Sequence, residues 1–101
     1  MDGLPLQYCR QLIDTNGGEA AFRNLTTDDV KERYIVPMTQ ASQLSLCAQM
    51  KQGGDARVQR ATWFVSHAWR YKFLDLVTAL EMFFAHIGGC VIIWLDLFST
   101  S

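Results

Sequence analysis

A small polar cluster stands directly after an apolar stretch in the second half of the chain. Residues 61–66 read ATWFVS, and His67, Trp69 and Arg70 follow within four positions. A serine beside a histidine, here Ser66 and His67, is the combination of a nucleophile with a general base. Neighbours on an extended strand point to opposite faces, however, and the flanking glycines of a nucleophile elbow are absent. We therefore interpret the cluster as a turn with the chemistry of a ligand site. His67 is expected to hydrogen-bond the strand ends and order the loop, with ligand contact by His67 as the alternative.

A second candidate position follows the next apolar stretch, where residues 90–95 read CVIIWL and lead into an aspartate. In an open parallel sheet, ligands bind at the carboxyl ends of strands, beside helix N-termini whose free N–H groups favour anions. An indole at this edge stacks on a nucleobase or packs in the core, and we prefer the core for Trp69. We predict no catalytic residue and no metal ligand. The candidate ligand-binding residues are Ser66, His67, Trp69, Arg70 and Asp96.

Arg70 and Lys72 flank the start of the helix predicted after this cluster, where cations oppose the helix dipole. Two explanations remain open. An anionic ligand offsets the charges, or Asp75, one turn further along, forms a salt bridge with one of the cations and no ligand binds. Glu81 is predicted to lie on the solvated face of the same helix.

The elements that must position these residues form a βαβ pattern. Residues 61–66 are rich in β-branched and aromatic side chains, which favours a strand. Residues 71–87 have apolar positions at helical spacing, and the glycine pair 88–89 ends the helix. Residues 90–95 are continuously apolar, which is typical of a strand covered on both faces of a parallel sheet. Two strands are marginal alone, so we expect an incomplete sheet.

The first half of the chain predicts short helices. Residues 6–13 have helical spacing, and Thr26 and Asp29 form a capping box that begins a helix ending at about residue 34. Pro37 can occupy the first turn of the next helix, which is predicted over residues 38–52. The run of glycines at 53–54 is the clearest break. We therefore predict a helical lead-in arm over 1–54 that supplies no strand, and a partial α/β domain over 55–101.

The composition excludes several classes of partner. A net charge of −1 makes nucleic-acid binding unlikely, since phosphate recognition needs a concentrated basic face. Cys9, Cys47 and Cys90 are far apart, which favours reduced thiols in a cytoplasmic protein over disulfides or zinc. The N-terminus does not resemble a signal peptide. Within the strongly apolar residues 73–98, the longest stretch without Asp, Glu, Lys or Arg is 82–95, which is shorter than the roughly 18–20 residues of a membrane span.

Residues 63–80 and 91–99 resemble the opening of a TIR-like domain, of the eukaryotic type with a Ser-His-Ala-Trp signature. The motif F-[VIL]-S-[HF] that ends the family's first strand is matched at 64–67, and the second strand ends in Asp96. Residues 25–47 resemble the helical lead-in before such domains. The resemblance implies a flavodoxin-like sheet of about five strands, self-association or association with other TIR-like domains, and in some members NAD hydrolysis.

The family's nucleotide pocket would take Ser66, His67 and Trp69 from this chain, with NAD as a possible ligand of the complete domain. Its catalytic glutamate lies on a later helix and has no counterpart here, so we expect no NAD hydrolysis by residues 1–101. This hypothesis makes the chain the N-terminal fragment of a TIR-like signalling or interaction module. The alternative is a small structural or scaffold protein whose sheet is completed by self-association.

Overall fold

The predicted strand–helix–strand unit is present in the second half of the chain. A computed structural model describes residues 1–66, 69–87 and 90–100. Strand β3 (Trp63–Val65) and strand β4 (Ile92–Leu95) pair in parallel, and helix α6 (Phe73–Phe84) connects them. Of residues 91–95 only Trp94 is not fully buried, as expected for a strand that is covered on both faces.

The N-terminus supplies a strand, which the sequence analysis did not expect. Strand β1 (Asp2–Pro5) pairs antiparallel with β4 on one side and with the short strand β2 (Gln59–Arg60) on the other. The sheet is therefore mixed and has the order β2-β1-β4-β3. The prediction of an arm without strands is wrong, because β1 fills the position beside β4 that two C-terminal strands alone would leave uncovered. Residues 2–5 and 92–95 thus belong to one sheet.

A glycine allows β1 to approach β4. A Cβ at Gly3 would lie 2.7 Å from the carbonyl carbon of Ile93, and closer still to its oxygen. No side chain fits at this contact distance. The next residue, Leu4, is fully buried and pairs with Ile93.

Helices surround the sheet. The helices of the first half and the C-terminus are α1 (Leu6–Thr15), α2 (Gly18–Phe22), α3 (Thr27–Val30), α4 (Val36–Thr39), α5 (Leu46–Gln52) and α7 (Asp96–Ser99). The predicted first helix is present as α1 and begins directly after β1, with four buried residues on one face. The helices α1, α2 and α6 pack against one another, and α5 and α7 pack together and against β1.

The helical segment after the capping box is longer than predicted. A π-helical turn, Lys31–Ile35, joins α3 to α4, and the N–H of Val36 donates to the carbonyl of Lys31. This wider turn carries the chain through Pro37, which lacks an N–H and would clash in a regular helix. The predicted helix over 38–52 is interrupted instead, since Gln43 adopts a φ of 59° and Ser45 caps α5.

The core is continuous from the first half of the chain to the last residues. Its largest fully buried side chains come from α2, α6 and α7, namely Phe22, Phe73 and Phe98. Cys9 and Cys47 are buried as free thiols, whereas Cys90 is exposed. In the part of the chain that the structure describes, no helix combines the length and the apolar character needed to cross a bilayer.

Candidate functional site

The carboxyl ends of β3 and β4 lie at the same edge of the sheet. Val65 pairs with Leu95, so Ser66 and Asp96 follow two paired residues directly. Ser66 is exposed, and Asp96 is half-buried as the first residue of α7. The structure therefore brings two of the five candidate residues to one edge. His67 lies outside the described residues.

Trp69 packs toward the helical half of the chain. Its ring is half-buried against the core, and the Lys31 ammonium lies 5.4 Å from the ring centroid, within cation–π range. Its backbone carbonyl accepts a hydrogen bond of 3.1 Å from the N–H of Asp28. These contacts agree with our preference for a packing role.

The start of α3 holds the loop that follows β3. Thr27 is fully buried, and both its N–H, at 2.9 Å, and its hydroxyl, at 3.2 Å, donate to the carbonyl of Tyr71. The carbonyl of Leu25 accepts from the N–H of Phe73 at 3.0 Å, which extends the attachment to the first residue of α6. The candidate loop is therefore positioned by a segment more than forty residues earlier in the chain.

The predicted capping box is confirmed and stabilises this attachment. The hydroxyl of Thr26 accepts from the N–H of Asp29 at 3.1 Å, and the Asp29 carboxylate accepts from the N–H of Thr26 at 3.0 Å. The hydrogen bond from the Thr26 N–H lowers the pKa of the Asp29 carboxyl below its usual value. The box was visible in the sequence, but nothing in the sequence indicated that the helix it begins would hold residues 69–73.

The predicted local salt bridge is absent. Arg70 and Lys72 are exposed, and neither lies within ion-pair distance of Asp75 among the ion pairs of the described residues. The loop thus presents two cations that Asp75 does not neutralise. The explanation in which Asp75 pairs with one of them and no ligand binds is therefore removed.

Glu81 is not simply solvated, so that prediction is wrong. Its carboxylate accepts two hydrogen bonds from the Arg10 guanidinium, one of them 3.1 Å long, and Arg10 also pairs with Glu19 at 2.9 Å. The hydrogen bond to Glu81 raises the pKa of Arg10. The ion pair joins α1 to α6 and forms one wall of an open groove of about 400 Å³. The groove is lined by Leu6, Gln7, Arg10, Gln11, Glu81, Phe84, Ile87 and Val91.

Aromatic side chains are exposed on β3, where Trp63 and Phe64 project from opposite faces of the strand, and on the neighbouring part of α6. This surface was not predicted from the sequence. We define the β3 edge surface as Trp63, Phe64 and Phe83, which are 40%, 65% and 65% exposed. The Trp63 ring contacts Phe84 at 5.0 Å on the α6 side, and Phe64 contacts Trp94 at 5.9 Å. A groove of about 320 Å³ runs between β3 and α6 here and includes Ser66.

The outer side of β3 is suited to binding another chain or a flat ligand. Along the sheet, β3 is the last strand, and within the described residues no strand pairs with its outer side. An exposed edge strand is a template for another strand. Across residues 1–66, 69–87 and 90–100, no group of His, Cys, Asp and Glu side chains could hold a metal ion.

The fold is a mixed α/β domain with a parallel βαβ unit at one end of its sheet. Comparison with known proteins gives no match: no protein-family model, no curated protein and no solved structure is similar to this chain. The resemblance to TIR-like domains therefore remains a prediction.

Proposed function

We propose that this chain is part of a TIR-like signalling or interaction module. The observation that carries the proposal is the parallel β3–α6–β4 unit, with Ser66 and Asp96 at one carboxyl edge and an open, aromatic outer side on β3. In a flavodoxin-like sheet, the first strand lies between the second and the third. If β3 and β4 are the first two strands, the open side of β3 is the position of the third.

The antiparallel strand β1 is compatible with this proposal. Strand β1 lies on the far side of β4, away from the open side of β3. Many largely parallel sheets carry an antiparallel strand at one edge. The finer expectation, a flavodoxin-like sheet of about five strands in a longer chain, is part of the proposal. A cytoplasmic location also belongs to it, and the three free cysteines support that location.

Half of a nucleotide pocket is the ligand site that this proposal contains. Ser66 and Asp96 flank the carboxyl ends of the parallel strands, and Arg70 adds an exposed cation suited to a phosphate. Trp69 offers part of its indole surface. No residue of this chain matches the glutamate that cleaves NAD in the family, so the proposal includes binding without catalysis.

The test uses NAD with two proteins. The first is this chain, titrated with NAD while amide resonances are followed; we expect shifts at Ser66 and Asp96 and no release of nicotinamide. Asp75→Asn, which changes an exposed carboxylate outside the proposed pocket, is the control and should bind like the parent chain, whereas Asp96→Asn should bind more weakly. The second protein is the longest reading frame that contains residues 1–101, which should release nicotinamide.

Two results would overturn the proposal. Nicotinamide release by this chain alone would show that the catalytic group is not a later glutamate. A reading frame that adds no further strands with an acidic helix would remove the TIR-like interpretation.

A second candidate function is a small scaffold protein that self-associates through the same edge. The observation that favours it is the exposure of Trp63, Phe64 and Phe83 on one outer strand and its covering helix. The largest apolar patch on a soluble monomer is often functional, and patches of more than a few hundred Å² mark interaction sites. This candidate predicts a stable dimer in sedimentation and a single cooperative melting transition; a molten chain contradicts it.

A further inference from the structure

We propose that two copies of this chain pair antiparallel through β3, about a two-fold axis at Phe64. The pairing joins the two four-stranded sheets into one continuous sheet. This inference rests on the second candidate function and specifies the partner and the geometry that the candidate leaves open.

The two outer strands of the sheet differ in chemistry. At one end, β2 consists of Gln59 and Arg60, both exposed, and a charged, very short edge strand resists pairing with another chain. At the other end, β3 carries Trp63 and Phe64, and residues 61–66 have no charge. Of the two outer strands in the part of the chain that the structure describes, β3 alone therefore presents an edge that another strand can join, and a β3–β2 contact that would extend into a filament is disfavoured.

The sequence of β3 and its flanks is complementary to itself. In an antiparallel pair centred on Phe64, Thr62 faces Ser66, Trp63 faces Val65, and Phe64 faces its own copy. Hydroxyl pairs, aromatic–β-branched pairs and aromatic pairs are the favourable cross-strand combinations. A shift of the centre by one residue to Val65 places Phe64 opposite Ser66, and a shift to Trp63 places Thr62 opposite Phe64. Only the register centred on Phe64 matches polar with polar and apolar with apolar positions.

The exposed aromatic side chains supply part of the area that such a dimer needs. The exposed fractions of Trp63, Phe64 and Phe83 correspond to roughly 350 Å² of aromatic surface per copy. A standard interface buries about 800 Å² per partner, and the backbone of the joined strands and the flank of α6 supply further area. Because the surface is uncharged, two identical copies meet without the repulsion that like charges opposite one another would cause.

Disulfide trapping tests the register. In a Cys90→Ser background, Thr62→Cys and Ser66→Cys chains are prepared separately, and each is exposed to a mild oxidant alone and as a mixture. We expect a disulfide-linked heterodimer from the mixture only, since the two positions face each other across the axis while each lies far from its own copy. Cys9 and Cys47 are buried and serve as internal controls for unfolding.

Sedimentation tests the surface. The parent chain should dimerise, Phe64→Lys should raise the dissociation constant roughly 30-fold or more, and Met38→Lys, at an exposed position in α4, should leave it unchanged. A parent chain that is monomeric at every concentration refutes both this inference and the second candidate function. If the parent chain associates and Phe64→Lys abolishes that association, but the mixture of Thr62→Cys and Ser66→Cys chains gives no cross-linked dimer, then only the register is refuted. If Phe64→Lys does not melt cooperatively, the cross-linking result decides.

Discussion

The substitution Gly3→Ala tests whether the N-terminus is a structural part of the sheet. Strand β1 lies between β2 and β4, and its Gly3 backbone approaches Ile93 so closely that a methyl group has no room. The clash is with a backbone carbonyl, which cannot rotate away as a flexible side chain could. To accept alanine, β1 must move away from β4.

The size of the effect follows from the distances. The added Cβ would lie 2.7 Å from the Ile93 carbonyl carbon and 3.1 Å from the Ala61 Cβ, against about 3.5 Å for an ordinary contact. A displacement of roughly 1 Å lengthens the hydrogen bonds around the Leu4–Ile93 pair beyond their normal range. Overpacking costs about 1–3 kcal/mol, and each weakened hydrogen bond about 1 kcal/mol. We expect a loss of about 2–4 kcal/mol from a domain whose total stability is about 5–15 kcal/mol.

Thermal unfolding followed by circular dichroism measures this loss. For a domain of this size, the midpoint should fall by about 10–25 °C. The matched control is Gly53→Ala, where the φ is −80° and the nearest atom to a new Cβ is 3.6 Å away, so the melting temperature should stay nearly unchanged. If Gly3→Ala melts at the same temperature as Gly53→Ala, β1 is not a tightly packed inner strand. The prediction of a separate N-terminal arm would then be correct after all.

Three further predictions concern single groups. In a double-mutant cycle, the Arg10–Glu81 pair should show a coupling of about 0.5–1 kcal/mol that decreases with added salt, since both side chains are partly exposed; a zero coupling would mean that the pair does not hold α1 to α6. Ellman's reagent should label Cys90 rapidly and the two buried cysteines only after unfolding, and a second rapid thiol would contradict the burial. The pKa of Asp55 is lowered to about 2 by its hydrogen bonds with Arg57, so its contribution to stability is present above about pH 4 and is lost as the pH falls toward 2. Asp55→Asn should therefore flatten the dependence of the melting temperature on pH in that range, and an unchanged slope would contradict this assignment.

The parts of the fold that the sequence predicted are those with a local pattern. The continuous run of apolar residues before Asp96 and the helical spacing after residue 71 each identified an element with nearly correct limits, and the Thr26–Asp29 capping box identified where a helix begins. Each signal is complete within a dozen residues, so no distant contact was needed to interpret it.

Strand β1 could not be predicted in this way. Its residues, DGLP, include a proline and a glycine, two of the residues that are depleted in strands, and only Leu4 is large and apolar. The strand forms because one side of β4, almost ninety residues later in the chain, is open for pairing, and Gly3 allows the backbone of β1 to come close enough to pair there. Pairing between residues so far apart in the chain produces no repeating pattern of apolar residues within the short segment 2–5. The Arg10–Glu81 ion pair was missed for the same reason, because its two partners lie on helices 71 residues apart in the chain.

The apolar character of β3 has a different meaning from that of β4, although the sequence analysis assigned both to strands of one parallel sheet. Strand β4 has a neighbour on each side, and Ile92, Ile93 and Leu95 are buried. Strand β3 has a neighbour on one side, and its residues Trp63 and Phe64 remain exposed. An outer strand that needed only to be soluble would carry charges, as β2 does with Arg60. The uncharged, aromatic β3 is therefore the edge of the described sheet that is suited to pairing with another strand. A third strand of a TIR-like sheet and a second copy of this chain would use the same surface, and the cross-linking of Thr62→Cys to Ser66→Cys distinguishes them, because only the copy runs antiparallel about Phe64.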